Sequence, residues 1–307
     1  MSSPRNRTIR TPLEAGREYL ARCLNVPETP FRPEELRDRI ICGDFFTAAP
    51  KLPERSVDLL IADPPYNLTK SFNGNVFRCR DTAEYEAYTR AWLAAVRPLL
   101  KETASIYVCC DWTSSPAVAR VLGEFFPVRN RITWQREKGR GAGKNWKNSA
   151  EDIYFATAGN RYTFHLDAVK IRRRVIAPYR EAGKPRDWRE TAAGKFRDSC
   201  PGNFWDDITV PFWSMPENTG HPTQKPEKLL AKLILASSDP GDLVFDPFAG
   251  SGSTAVTAKK LHRRFLAVEA DPQYCVWAQQ RLERAELHPE IQGYRDGIFY
   301  ERNSAPR

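Results

Sequence analysis

The segment Leu60-Ile-Ala-Asp-Pro-Pro-Tyr66 gathers a carboxylate, two rigid prolines and an aromatic ring into one short stretch. The branched apolar run ahead of it reads as a strand, so Asp63, Pro64, Pro65 and Tyr66 fall at a carboxyl edge. Asp63 supplies an acceptor there, the prolines stiffen the turn and leave their carbonyls free, and Tyr66 offers a flat face. That set suits a planar ring whose exocyclic amine must be held by hydrogen bonds, and an ordinary Pro-Pro loop is the alternative these residues leave open. A second cluster, Leu243-Val-Phe-Asp-Pro-Phe-Ala-Gly-Ser-Gly-Ser-Thr254, runs strand, turn, glycines, helix. Gly250 and Gly252 allow a tight turn and close approach of a ligand, and the helix from about Ser253 presents free N–H groups. Glu269 ends a strand 23 residues beyond Asp246, where a carboxylate commonly grips a ribose diol. Neither Gly-x-Gly-x-x-Gly nor a Gly-Lys-Ser/Thr P-loop is present, and a purely structural turn is the competing reading.

Apolar branched runs at 39–42, 57–62, 104–109, 131–134 and 153–156 predict strands buried on both faces, with helices over 84–100 and 116–125 between them. After an irregular stretch over 158–219 the alternation resumes: helix 227–237, strand 243–246, helix 253–261, strand 265–269, helix 272–286. This pattern predicts one α/β sheet, mostly parallel with helices on both faces, built from two separated pieces of chain. The expected divisions are an N-terminal extension over 1–38 with a short helix near 13–24, a catalytic half over 39–135, an insertion over 136–215, a second half over 216–290 and a tail over 291–307.

The 307 residues carry 47 Lys+Arg against 38 Asp+Glu, net +9. Residues 129–200 hold 18 of those cations and 8 of the acids, while the rest of the chain holds 29 and 30. The whole excess therefore lies in one segment, where Lys144, Lys147, Arg172, Arg173 and Arg174 are interleaved with aromatics, a pattern suited to phosphate contact and base stacking or else to a solvated basic loop. Seven cysteines with no Cys-x-x-Cys spacing, and four histidines, argue against a disulfide framework or a zinc site. No apolar run approaches the roughly 20 residues of a membrane span, and the first residues lack a secretion signal, so a cytoplasmic location is expected.

Asp63-Pro-Pro-Tyr66 together with Phe248-Ala-Gly-Ser-Gly252 resembles the S-adenosylmethionine-dependent DNA amino-methyltransferases, and the order of the two motifs resembles their β group. Gly220-His-Pro-Thr-Gln-Lys-Pro-Glu227 is similar to the block these enzymes place ahead of the glycine-rich strand, and Ile41-Cys-Gly-Asp44 and Phe265-Leu-Ala-Val-Glu-Ala-Asp-Pro-Gln-Tyr274 also match. The likeness covers about residues 39–286 apart from the middle segment. It implies a Rossmann-like methyltransferase with a target-recognition insertion. Asp63 and the Pro64 carbonyl would accept the N–H bonds of the target amine while Tyr66 stacks on its ring. Phe248, Ala249, Gly250, Ser251, Gly252, Ser253 and Thr254 would cradle the methionine part of S-adenosylmethionine, Glu269 would hold its ribose and Asp44 would lie near its adenine, with Asp63, Asp246 and Pro247 also at the cofactor. His221, Thr223 and Lys225 would contact the amino-acid end, with Lys225 against the carboxylate.

An amine facing its partner base requires extrusion of the nucleotide. The loop over 67–77, through Lys70 and Phe72, is placed to close over it, or is an ordinary surface loop. The resemblance favours N6 of adenine in double-stranded DNA, with cytosine-N4 as the alternative. RNA or protein-glutamine methylation, and a non-catalytic DNA-binding module, are further rivals. A cognate restriction endonuclease and a homodimer are expected partners.

Overall fold

The computed structural model describes residues 5–68, 70–72, 75–77, 80–136, 143–175, 179–191 and 194–301. Its main sheet has nine strands: β1 Leu24–Asn25, β2 Arg39–Cys42, β3 Val57–Ala62, β4 Leu100–Asp111, β5 Val128–Gln135, β6 Ala150–Thr157, β7 Phe204–Trp205, β8 Leu243–Asp246 and β9 Arg264–Glu269. They are arranged β1-β2-β9-β8-β3-β4-β6-β5-β7. All neighbours pair in parallel except β6, which runs against β4 and β5. The expected mostly parallel sheet is therefore present, with a single reversed strand.

Side chains of a strand alternate between faces, and both faces here are apolar. Leu59 and Ile61 of β3, with Tyr107 and Cys109 of β4, meet helices α5 Glu227–Ser237, α6 Ser253–Lys260 and α7 Pro272–Leu287. Leu60 and Ala62, with Ile106 and Val108, meet α2 Phe45–Ala48, α3 Thr82–Val96 and α4 Ser115–Phe125. Helix starts follow local chemistry: Asp81 caps α3 by accepting from Glu84 N at 2.8 Å, and Asp271 caps α7 by accepting from Gln273 N at 2.8 Å, with Pro272 in the first turn.

Three sequence expectations need revision. The helix foreseen near 13–24 is only the single turn α1 Arg17–Leu20, after which β1 joins the sheet beside β2. The Thr11 carbonyl accepts from Gln273 Nε2 at 2.8 Å and Trp277 Nε1 at 2.9 Å, so the N-terminal segment is stitched to α7. The segment read as irregular contains a second sheet, ordered Arg189–Thr191, Gly194–Ser199, Ile171–Arg174, Ile298–Tyr300, Tyr294–Arg295. Its last two strands come from the expected tail, and Phe299 is wholly buried. The expected break at 135/136 also falls inside the main sheet, because β6 returns between β4 and β5 before the chain departs.

Helix α5 is buried along its whole length, two lysines included. Asp207, itself buried, accepts from Lys232 Nζ at 2.7 and 2.8 Å and from Lys228 Nζ at 2.9 Å, while Lys228 also reaches the Tyr300 carbonyl. Burial pushes Lys232 down to about 8 in spite of this partner. The triad fastens the segment after β7 to α5, and Lys228 carries the tie on to the second sheet through the Tyr300 carbonyl. No described helix is long and apolar enough to cross a membrane. Asp207→Ala removes the carboxylate that faces two buried ammonium groups, while Lys228 keeps its carbonyl acceptors at residue 207 and Tyr300, and should cost about 3–5 kcal/mol of stability, read by chemical denaturation, with partial recovery when Lys232→Met is added; an unchanged midpoint would show the triad to be dispensable.

Candidate active site

Strands β3 and β8 are neighbours, and from them the chain leaves in opposite directions across the sheet, to β4 on one side and β9 on the other. A crevice opens at such a switch point, outside the carboxyl ends of the strands. It holds a cavity of about 440 Å³ whose lining includes Asp44, Asp63, Tyr66, Lys225, Asp246 and Glu269.

On the β8 side the loop is shaped by its glycines. Gly250 and Gly252 have φ of +52° and +76°, left-handed values that cost other residues about 1–2 kcal/mol. A Cβ at Gly252 would stand 2.6 Å from that of Ala278, so glycine also lets α6 start against α7. Asp246 accepts from Phe248 N at 3.0 Å, and Glu269 from Gly250 N at 2.7 Å and Asp271 N at 2.8 Å. Burial dominates both carboxyls, pushing Asp246 up to about 7 and Glu269 to about 8. Pro247, Phe248, Ala249, Ser251, Ser253 and Thr254 line the cavity, whereas Gly252 acts from behind by admitting the helix. Asp44 stands at the rim as the cap of α2, accepting from Thr47 N at 3.2 Å.

Sequence reasoning missed the clamp behind this loop. Arg281 donates to Ser251 O at 2.9 Å, Ser253 Oγ at 2.8 Å and Glu227 Oε1 at 2.9 Å, all buried. Its one legible signal was a cation on the apolar face of α7.

On the β3 side, Tyr66 OH donates to Asp63 Oδ1 at 2.8 Å, and Lys225 Nζ donates to Asp63 Oδ2 at 2.6 Å. Both carboxylate oxygens are thus held from within the protein. Lys225 also contacts Tyr66 OH at 2.9 Å and Glu151 Oε2 at 3.2 Å, and Arg136 pairs with Glu151 Oε1. Burial opposes the charge on Lys225, but Asp63 and Glu151 outweigh it and hold the ammonium above the ordinary lysine range. Burial likewise raises the Tyr66 phenol, so it remains a donor. Tyr85 OH donates to the Pro65 carbonyl at 3.2 Å, and Asn67 N to Ser114 Oγ at 3.0 Å, fixing the turn around Pro64. His221 packs edge-on against Tyr274, its ring centroid 4.4 Å away, and accepts from Thr223 N at 3.3 Å; both line the cavity.

The Lys225 ammonium, expected at the amino-acid end of the cofactor, lies between the buried carboxylates of Asp63 and Glu151. Glu151 and Arg136 were not foreseen, since an acid in an apolar strand carries no motif. Tyr66 lines the cavity but is only 9% exposed, with Lys225 over its ring at 5.2 Å, so one of its faces is already covered.

None of the basic candidates Lys144, Lys147, Arg172, Arg173 and Arg174 is among the residues lining this cavity. Lys144 and Lys147 are exposed on the β5–β6 connection, beside Trp146 at 93% exposure. Arg172 makes a bidentate pair with Asp198, both contacts at 2.7 Å, so its charge is met by a carboxylate inside the second sheet. Arg173 lies 3.6 Å from Asp206 and 3.8 Å from Glu301, and Arg174 is exposed. Lys70 and Phe72 fall in a short hairpin, Lys70–Phe72 against Asn75–Phe77, whose side chains lie outside the described residues.

A family model described as DNA methylase matches residues 57–280. The chain is 34% identical to the DNA adenine methyltransferase YhdJ of Escherichia coli K12, over 80% of this chain and 83% of that protein. It is 30% identical to the type II methyltransferase M.HpaI of Haemophilus parainfluenzae, over 80% and 74%. Among solved structures it resembles the cytosine-N4-specific PvuII DNA methyltransferase, with a TM-score of 0.59, 19% identity and coverage of 79% and 85%. It also resembles the S-adenosyl-L-methionine complex of a putative DNA modification methylase from Thermus thermophilus, with a TM-score of 0.56, 20% identity and coverage of 87% and 99%.

Because burial favours the protonated forms of Asp246 and Glu269, their contribution to stability is complete below the ordinary carboxyl range and is lost as pH rises through about 7 and 8. Thermal unfolding midpoints should therefore fall between about pH 5 and pH 8, and fall less in Glu269→Gln; parallel curves for the two proteins would contradict this.

Proposed function

Since this chain belongs to the N6/N4 DNA methylase family, we propose that it transfers a methyl group from S-adenosylmethionine to N6 of adenine in duplex DNA. The observation that carries the reading is the Asp63 carboxylate, fixed through both oxygens and facing the same cavity as the glycine-rich loop. The adenine assignment is supported by Asp63 as the first motif residue and by the name of the Escherichia coli relative.

The residues present fit the cofactor. Asp44, Asp63 and Asp271 line the cavity together with the burial-raised carboxyls of Asp246 and Glu269, a set of acceptors suited to a ligand with hydroxyl and amine donors such as a ribose diol. Glu269 would hold the ribose hydroxyls, residues 248–254 the methionine part, Asp44 the adenine, and His221 and Thr223 the amino-acid end. The bound cofactor supplies an electrophilic methyl group on a sulfonium. Asp63 and the Pro64 carbonyl orient the target amine by accepting its N–H bonds, and the carboxylate offsets positive charge developing on nitrogen. Tyr66 walls the space for the ring. A base in duplex DNA reaches this recess only by rotating out of the stack.

Duplex binding is assigned to the basic surface within 136–215. Lys144 and Lys147 beside exposed Trp146 offer cations and a stacking face together, and Arg174 adds an exposed charge. Arg172 supports the second sheet through Asp198 instead.

Incubation of purified protein with duplex DNA and labelled cofactor, followed by nucleoside digestion, should yield N6-methyladenine, and Asp63→Ala should lower kcat by at least about 100-fold. N4-methylcytosine alone would refute the adenine assignment, and preference for RNA the duplex assignment. In binding titrations over a salt series, Lys144→Ala with Lys147→Ala should lessen the slope of log K by about 0.9 per lost phosphate contact, whereas Arg172→Ala should lower the unfolding midpoint more than the slope. An unchanged slope in the double variant would place the DNA-contacting face elsewhere.

A further inference from the structure

The block Gly220-His-Pro-Thr-Gln-Lys-Pro-Glu227 invites the view that its lysine meets the cofactor's carboxylate. The geometry points elsewhere, and we propose that Lys225 is a positioning residue for Asp63, with Glu151 and Arg136 balancing its charge. The inference rests on the reading of Asp63 as acceptor of the target amine.

An ammonium group has three N–H donors and no acceptor. Lys225 has three acceptors within reach: Asp63 Oδ2 at 2.6 Å, Tyr66 OH at 2.9 Å and Glu151 Oε2 at 3.2 Å. Its side chain is 7% exposed and that of Glu151 is 5%. No donor is left over for a further anion, and a cofactor carboxylate brought close would face Asp63 and Glu151 as well.

The charges form an alternating row, Asp63, Lys225, Glu151, Arg136, with no net charge. Each member comes from a different part of the fold: the end of β3, the turn before α5, the reversed strand β6, and the residue following β5. Glu151 keeps Lys225 from swinging toward either the cofactor loop or Asp63 alone, and Arg136 occupies the other oxygen of Glu151. Tyr66 closes a triangle by donating to Asp63 Oδ1 while accepting from Lys225. Asp63 consequently has one oxygen pinned by a neutral donor and the other by a cation, and its remaining lone pairs are available to the cavity. A carboxylate restrained in this way is presented to the amine in one orientation. The Gln224 amide holds the turn in register, its Oε1 accepting from Thr219 N at 2.9 Å and its Nε2 donating to the Glu217 carbonyl at 2.7 Å.

The two roles for Lys225 differ in what its loss would change. Lys225→Met and Lys225→Arg would be assayed beside the wild type for cofactor affinity by calorimetric titration and for kcat at saturating cofactor and DNA. For Lys225→Met we expect cofactor Kd within about 3-fold of wild type and kcat lower by about 100-fold. Lys225→Arg should recover at least about 10-fold of the lost kcat. A Lys225→Met protein that binds cofactor 10-fold or more weakly yet keeps kcat at saturation would overturn the proposal and restore the cofactor-carboxylate role. So would a kcat equal to wild type with unchanged affinity. If Lys225→Met neither binds nor turns over, Lys225→Arg decides: recovered kcat with cofactor affinity near wild type supports positioning, and lost cofactor affinity in this variant too refutes it. Asp63→Ala, assayed alongside, separates the two levels, since full activity in that variant would remove the reading of the site itself whatever Lys225 does.

Discussion

The parallel pairing of β3 with β8 is the contact on which the site depends. Val244 lies opposite Leu59 and Phe245 opposite Leu60, and Leu243 N donates to Asp58 Oδ2 at 3.0 Å, joining segments 185 residues apart in the chain. Closing so long a loop carries a substantial entropic cost, offset here by two apolar layers that cover both faces of the strands. Once the pair forms, the Asp63 turn and the glycine-rich loop must emerge side by side at one edge. Neither loop could make the cavity alone, because one brings Asp63 and Tyr66 to its wall and the other the turn with left-handed glycines.

Buried charge is the second constraint, and the chain meets it with compensated clusters. Arg281 and Lys260 share Glu227, Lys228 and Lys232 share Asp207, and Lys225 lies between Asp63 and Glu151. Removing one member of such a set strands its partners in a medium that solvates them poorly. The clusters also join elements distant in sequence: α5 to α6 and α7, α5 to the second sheet, and the turn before α5 to β3 and β6. Stability and site geometry therefore rest on the same contacts around α5.

Much of the frame was legible. Strands such as Val57–Ala62 and Leu243–Asp246 are branched apolar runs that only a doubly covered sheet can bury, and the glycines after Phe248 announce a turn before a helix. The two-residue β1 and the single turn α1 lay below what periodicity can resolve. The second sheet was hidden for a different reason: Ile298–Tyr300 pairs with Ile171–Arg174 across more than a hundred residues, and nothing local to either segment specifies the other. The basic run at 172–174 looked uniform, yet Arg172 is committed to Asp198 while Arg174 is exposed, a difference set by the partners that the second sheet brings to each position.

Residue chemistry was written in the chain: an acceptor followed by two prolines and a ring, glycines where the backbone must turn left-handed, an acid at the end of the following strand, and cations concentrated in one segment. Family and fold follow from those types and their order. Tertiary structure alone decided which charges meet. Lys225 reads equally well as a ligand for an external carboxylate, and Glu151 as an unremarked strand residue, until the register of β6 against β4 sets Glu151 opposite Asp111, within reach of both Lys225 and Arg136. Charge pairing is a matter of distances of a few ångströms and of excluded water, and those are properties of packed strands that no stretch of sequence contains by itself.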